Sequence, residues 1–186
     1  GKPDELRLAL SDGTVIPLSG EWKGRVAVDA RPPHPLPVGF ENLPTMPGVL
    51  RMGMLSPIAP LSLTGAIWYQ GESNTERAHQ YRRLLPAMIA DWRQLFSQGD
   101  FPFYIVGLPA FQHRSAVPVE DSWAEMRDAQ YFIAKTVPHS CLAVTIDTGD
   151  PDNIHPVDKK EGGERLAFCA LSEHYGRKVP YSGPDL

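Results

Sequence analysis

Residues 65–96, GAIWYQGESNTERAHQYRRLLPAMIADWRQLF, change character once, from a short apolar run to a long periodic one, and that change decides the fold. Gly65-Ala66-Ile67-Trp68-Tyr69 is too short for a helix and reads as a buried strand. From about Thr75 to Phe96, Tyr81, Leu84, Leu85, Met88, Ile89, Trp92, Leu95 and Phe96 recur at helical spacing on one face, with only Pro86 interrupting. Ser73 and Glu76 are spaced as a capping box just ahead of this helix.

The same rhythm continues outward. Phe101 to Leu108 reads as a strand, Val119 to Val137 as a helix, Leu142 to Ile146 as a strand and Lys159 to Tyr175 as a last helix. Strands alternating with helices imply a mostly parallel sheet covered on both faces. Upstream the pattern differs. Leu6 to Leu10 and Thr14 to Leu18 alternate in short runs around a Ser11-Asp12-Gly13 turn, and a third run spans Trp22 to Val28, all reading as antiparallel β structure. Between Arg31 and Pro47 stand Pro32, Pro33, Pro35, Pro37, Pro44 and Pro47, whose missing amide donors exclude helix and central strand. The expected division is a β-rich segment over 1–30, a proline-rich linker or loop over 31–48, and an α/β domain over 49–186.

Composition narrows the function classes. The 186 residues are 42% hydrophobic and 22% charged, ordinary for a globular domain. A formal net charge of −4, without a basic run, disfavours nucleic acid and anionic membranes as partners. No apolar run approaches the roughly 20 residues of a membrane span. Cys141 and Cys169, in a strand and a helix, read as small buried residues.

In parallel sheets ligands bind beyond the carboxyl ends of the strands, which directs attention to two loops. One is Gln70-Gly71-Glu72-Ser73-Asn74, where Gln70 and Asn74 are amides able to donate to a developing oxyanion. Ser73 resembles half a nucleophile elbow, but Thr75 stands where the second glycine belongs, and helix capping suits it better. The other is Asp147 to Pro156, where Asp152 precedes His155 by three residues, the spacing for a carboxylate to fix the tautomer of an imidazole base. Taken alone, that pair also fits a capping carboxylate and an exposed histidine. Asp147, Asp150, Asp152 and His155 miss the spacing of a calcium loop, so no metal is expected. His113 could line the cleft, and Trp68 and Tyr69 read as strand core.

W-Y-Q-G-E-S-N at 68–74, R-x-x-x-Y-R-x-L-x-P-A-x-I-x-D-W-R at 77–93 and D-x-x-H-P at 152–156 together resemble the sialate O-acetylesterase family, a branch of the SGNH (GDSL-like) hydrolases. The resemblance runs from about Leu6 to about Leu171. It implies a three-layer α/β domain, here its C-terminal portion, preceded by short β segments of an accessory β domain. The implied activity is removal of O-acetyl groups from carbohydrates, sialic acid or acetylated polysaccharide, by a Ser-His-Asp mechanism without cofactor. His155 would be the general base, Asp152 its orienting acid, Gln70 and then Asn74 the oxyanion donors, and Gly71 and Glu72 organisers of the loop, with Arg127 a partner for Glu72. A secreted or periplasmic setting fits the substrate class.

One departure bears on the mechanism. The family's nucleophilic serine lies in a G-Q-S-N-M motif and a further oxyanion donor in G-G-T, and neither string occurs in this chain. The serine is therefore expected from a complementing polypeptide or precursor segment. The alternative is an inactive carbohydrate-binding or structural remnant.

Overall fold

In the computed structural model, residues 7–17 and 46–183 are described. The chain divides into two compact units, 1–46 and 47–186. In the first, β1 (Arg7–Ala9) pairs antiparallel with β2 (Val15–Pro17), Leu8 opposite Ile16. Gly13, at φ 85°, closes the turn, and the Asp12 carboxylate accepts from the Thr14 amide at 2.9 Å. This is the expected hairpin. The third expected run, Trp22 to Val28, and residues 31–45 of the proline-rich stretch lie outside the described residues.

The second unit is built on a parallel sheet of β3 (Ala66–Trp68), β4 (Phe103–Val106) and β5 (Ser140–Ala143), in that order. Helices α1 (Ala78–Phe96) and α2 (Ser122–Thr136) pack on one face and α3 (Lys160–Cys169) on the other. Because side chains alternate along a strand, Phe103 and Ile105 point into the larger core with Ile89, Met126 and Ile133. Tyr104 points the opposite way, toward Cys141, Cys169 and Leu166. Trp68, Trp92 and Phe103 close the β3 side of the larger core with ring centroids 5.7–6.1 Å apart. The chain thus has the three-layer α/β arrangement expected of an SGNH-type domain. No helix of the described residues is long and apolar enough to cross a membrane.

Several local expectations are corrected. A 3-10 segment, Glu72–Arg77, occupies the expected first turns of α1, which starts only at Ala78. Ser73 and Glu76 form no capping box: the cap position of α1 is Arg77, without a side-chain bond, and Glu76 accepts instead from the Ser122 hydroxyl at 3.0 Å. Leu84 is half exposed, off the buried face formed by Tyr81, Leu85 and Ile89. β5 starts two residues earlier than its apolar run, because pairing with β4 sets Phe103 opposite Ser140, and Val144 and Ile146 beyond it are exposed. Turns at Arg51–Leu55 and Ser56–Ile58 had no counterpart in the sequence reading.

The cysteines are bonded to each other. Cys141 in β5 and Cys169 at the end of α3 form a disulfide, Cα atoms 6.2 Å apart, tying α3 to the strand it covers. Both are buried as expected, but as a crosslink rather than as free thiols.

Candidate active site

The loops after β3, β4 and β5 all leave the carboxyl ends of parallel strands, the edge at which α/β sheets place their ligands. The β3 loop is held from two sides. Gln130 of α2, fully buried, donates from Nε2 to the Gln70 carbonyl at 3.1 Å and accepts the Leu108 amide on Oε1 at 2.9 Å. Tyr81 of α1 accepts from the Trp68 indole at 3.0 Å, and its hydroxyl lies 3.0 Å from Gln70 Oε1 and 3.2 Å from the Gln70 carbonyl. Burial pushes the Tyr81 hydroxyl up to about 12, so it stays a donor at any working pH. Gly71 follows at φ 154°, and a Cβ there would stand 3.1 Å from Gln130 Nε2.

This clamp brings Gln70 and Asn74 together: Gln70 Nε2 donates to Asn74 Oδ1 at 2.7 Å. One Gln70 amide proton and the Asn74 side-chain amide have no acceptor among the described residues, which leaves donors at the strand end. Glu72 is half-buried, and no ion pair joins it to Arg127 among the described residues; its charge is felt at Tyr81 instead. Burial lowers Arg127, whose nearby counter-charge is Asp121. Ser73 is exposed, its carbonyl accepting from Arg77.

The β4 and β5 loops run side by side. Ala110 and Gly149 form a parallel bridge, Ala110 donates to the Thr148 carbonyl at 2.8 Å and Gln112 to the Pro151 carbonyl at 3.0 Å. A Cβ on Gly149, at φ 106°, would lie 2.1 Å from the Ala110 carbonyl oxygen, so only glycine permits this approach. In the β5 loop, Asp150 and Asn153 each accept a backbone amide two residues on, from Asp152 and His155, at 2.9 Å. Ile154 packs on the core and Pro156 is buried, which turns Asn153 and His155 outward. Asp147 is occupied by a two-pronged pair with Arg165 at 2.5 and 2.7 Å, which lowers its carboxyl below the usual range.

Asp152 is where sequence and structure differ most. Its Oδ1 lies 3.2 Å from Nε2 of His113 in the β4 loop, and no hydrogen bond joins it to His155 among the described residues. Tyr69 differs as well. It is not strand core but partly exposed, with the Lys159 ammonium 4.4 Å above its ring and 3.2 Å from its hydroxyl. Sequence reasoning missed Gln130 altogether.

A family model described as carbohydrate esterase, sialic acid-specific acetylesterase, matches residues 51–170, which include both loops. The chain belongs to this family. It is 34% identical to the sialate O-acetylesterase of Mus musculus and 32% identical to that of Homo sapiens, each match covering 76% of this chain. A carbohydrate acetylesterase from Xanthomonas citri superposes with a TM-score of 0.69 at 36% identity over 78% of this chain. The chain spans 29% of the length of the mouse protein, 30% of the human protein and 34% of the bacterial chain.

Proposed function

We propose that this chain carries the acid and base of a carbohydrate O-acetylesterase, and that the nucleophilic serine comes from a segment outside these 186 residues. The observation that carries the reading is the family match over residues 51–170, which spans the two loops that follow the parallel strands β3 and β5. His155 takes the serine proton as the hydroxyl attacks the acetyl carbonyl, and Asp152 orients the imidazole and stabilises its charged form. Gln70 and Asn74 donate to the oxyanion, on a loop that Gly71 and Glu72 help to shape. Collapse of the tetrahedral intermediate returns the proton to the sugar oxygen, and water then hydrolyses the acetyl-enzyme. The substrate is an O-acetylated carbohydrate, sialic acid or an acetylated polysaccharide, and no cofactor or metal takes part.

Among the described residues β3 is an edge strand, which supports an outside contribution. Ala66 donates to the Pro102 carbonyl, so by strand alternation the Ile67 peptide groups point away from β4. Ile67 is 72% exposed, whereas its register partner Tyr104 is 5% exposed. Beside it lies a cavity of about 410 Å³ lined by Ile67, Val106, Gly162, Gly163 and Leu166, where α3 leaves β3 uncovered. An added strand would satisfy both edge and face. The disulfide fits an oxidising compartment, secreted or periplasmic. The competing reading, an inactive carbohydrate-binding remnant, draws on Asp152 being engaged by His113.

A fluorophosphonate, which labels activated serines, separates these readings. Label on a peptide absent from this chain, with acetyl release that falls about 10⁶-fold in His155→Ala, is the expected result. Label on Ser73 contradicts an outside nucleophile. No label on any serine supports the remnant.

A further inference from the structure

We infer that His113 is a positioning residue that holds the Asp152 carboxylate for His155. This role rests on the proposed acid–base assignment and goes beyond it, because a third side chain, from a different loop, sets the acid's orientation.

Asp152 is otherwise poorly constrained. Its side chain is 77% exposed, and His113 Nε2, at 3.2 Å from Oδ1, is its one side-chain partner among the described residues. Oδ2 has no hydrogen bond among the described residues. A carboxylate can accept on both oxygens, so one imidazole on Oδ1 leaves Oδ2 for the Nδ1–H of another.

The backbone that delivers His113 is fixed. Trp123 Nε1 donates to the Pro109 carbonyl at 2.8 Å, and the Phe111 ring packs 5.1 Å from the Trp123 ring. Ala110 is stitched to the β5 loop at Thr148 and Gly149, and Gln112 to Pro151, the residue next to Asp152. Gln112 has φ 68°, a left-handed conformation that non-glycine residues adopt at a cost and that local contacts must enforce. Here it turns the chain so that His113 faces Asp152. A merely solvated surface histidine needs neither the strained residue before it nor a backbone seam running to the acid.

The test has two arms. In the 186-residue chain, with imidazole nitrogens observed by ¹⁵N NMR, Asp152→Asn should move the His113 Nε2 resonance; an unchanged resonance overturns the contact. In the assembled esterase, His113→Ala should lower kcat by up to about fivefold, the scale of an exposed ion pair, with KM unchanged. His113→Gln, which keeps a donor, should restore most of the loss. A wild-type kcat in His113→Ala, or a loss confined to KM without rescue, overturns the role while leaving His155 as base. A His155→Ala variant that keeps its rate removes the assignment on which the role rests, and the role with it.

Discussion

Replacing Gln130 with Met tests whether one buried amide holds the candidate site together. The side chains are similar in length, so packing changes cost under about 1.5 kcal/mol. The hydrogen bonds are another matter. Met leaves the Leu108 amide, now bonded to Oε1 at 2.9 Å, without its acceptor in a region where Leu108 itself is fully buried. An orphaned buried donor costs about 1–3 kcal/mol. The Gln70 carbonyl loses Nε2 at 3.1 Å but keeps the Tyr81 hydroxyl at 3.2 Å, so its share is smaller, about 1 kcal/mol. The expected loss is therefore about 3 kcal/mol, read as a lower midpoint in urea unfolding at unchanged slope, with Tm down by about 6–12 °C. Amide exchange should rise at Leu108 and around Gly71, whose backbone packs on the Gln130 side chain. A loss below about 0.5 kcal/mol, the range of an ordinary surface change, would refute the claim that Gln130 is a structural clamp.

Reducing the Cys141–Cys169 bond, which closes a 28-residue separation, should cost about 3–4 kcal/mol by the chain-entropy relation; an unfolding midpoint unaffected by dithiothreitol contradicts a formed crosslink. Asp147 has a folded-state pKa held below 3.8 by the Arg165 hydrogen bonds, so its stabilisation is fully present above the unfolded value and fades as pH falls below it. Asp147→Asn should accordingly flatten the acid limb of a stability–pH curve by lowering stability near neutrality, by no more than about 1 kcal/mol for so exposed a pair, while altering little at low pH, where the carboxyl is already protonated. Ile67→Asp should leave the stability of this chain within about 0.5 kcal/mol, because the side chain is exposed, yet prevent association with the proposed serine-bearing segment; binding at wild-type strength in a pull-down with that segment would show that β3 is not the docking edge.

The alternation of strand and helix was legible because burial imposes it. β4 lies in the middle of the sheet, all four of its residues are buried, and Phe101 to Leu108 reads as an unbroken apolar run. At β5 the same reasoning slipped by two residues. Apolarity pointed to Val144 and Ile146, but the ladder to β4 ends at Ala143, and the chain then bends so that the Thr145 hydroxyl meets the Gly107 carbonyl at 2.5 Å. Periodicity reports which side chains are greasy; register reports which peptide groups have partners, and a single chain states only the first. The same limit hid the contacts between loops. Gln130 sits on α2 at a position buried with Met126, Ala129 and Ile133, yet a glutamine there reads as polar surface until the unpaired Leu108 amide and Gln70 carbonyl opposite it are known. His113 and Asp152 are 39 residues apart, and what brings them together is a backbone seam whose requirement for Gly149 is steric. Asp152 and His155 were paired on a spacing that lies within one turn of chain, and that proximity in sequence concealed the more distant imidazole that takes the carboxylate in this structure. The motif proposes an acid and a base from spacing alone, whereas the partner that Asp152 meets in the structure comes from the loop packed beside it.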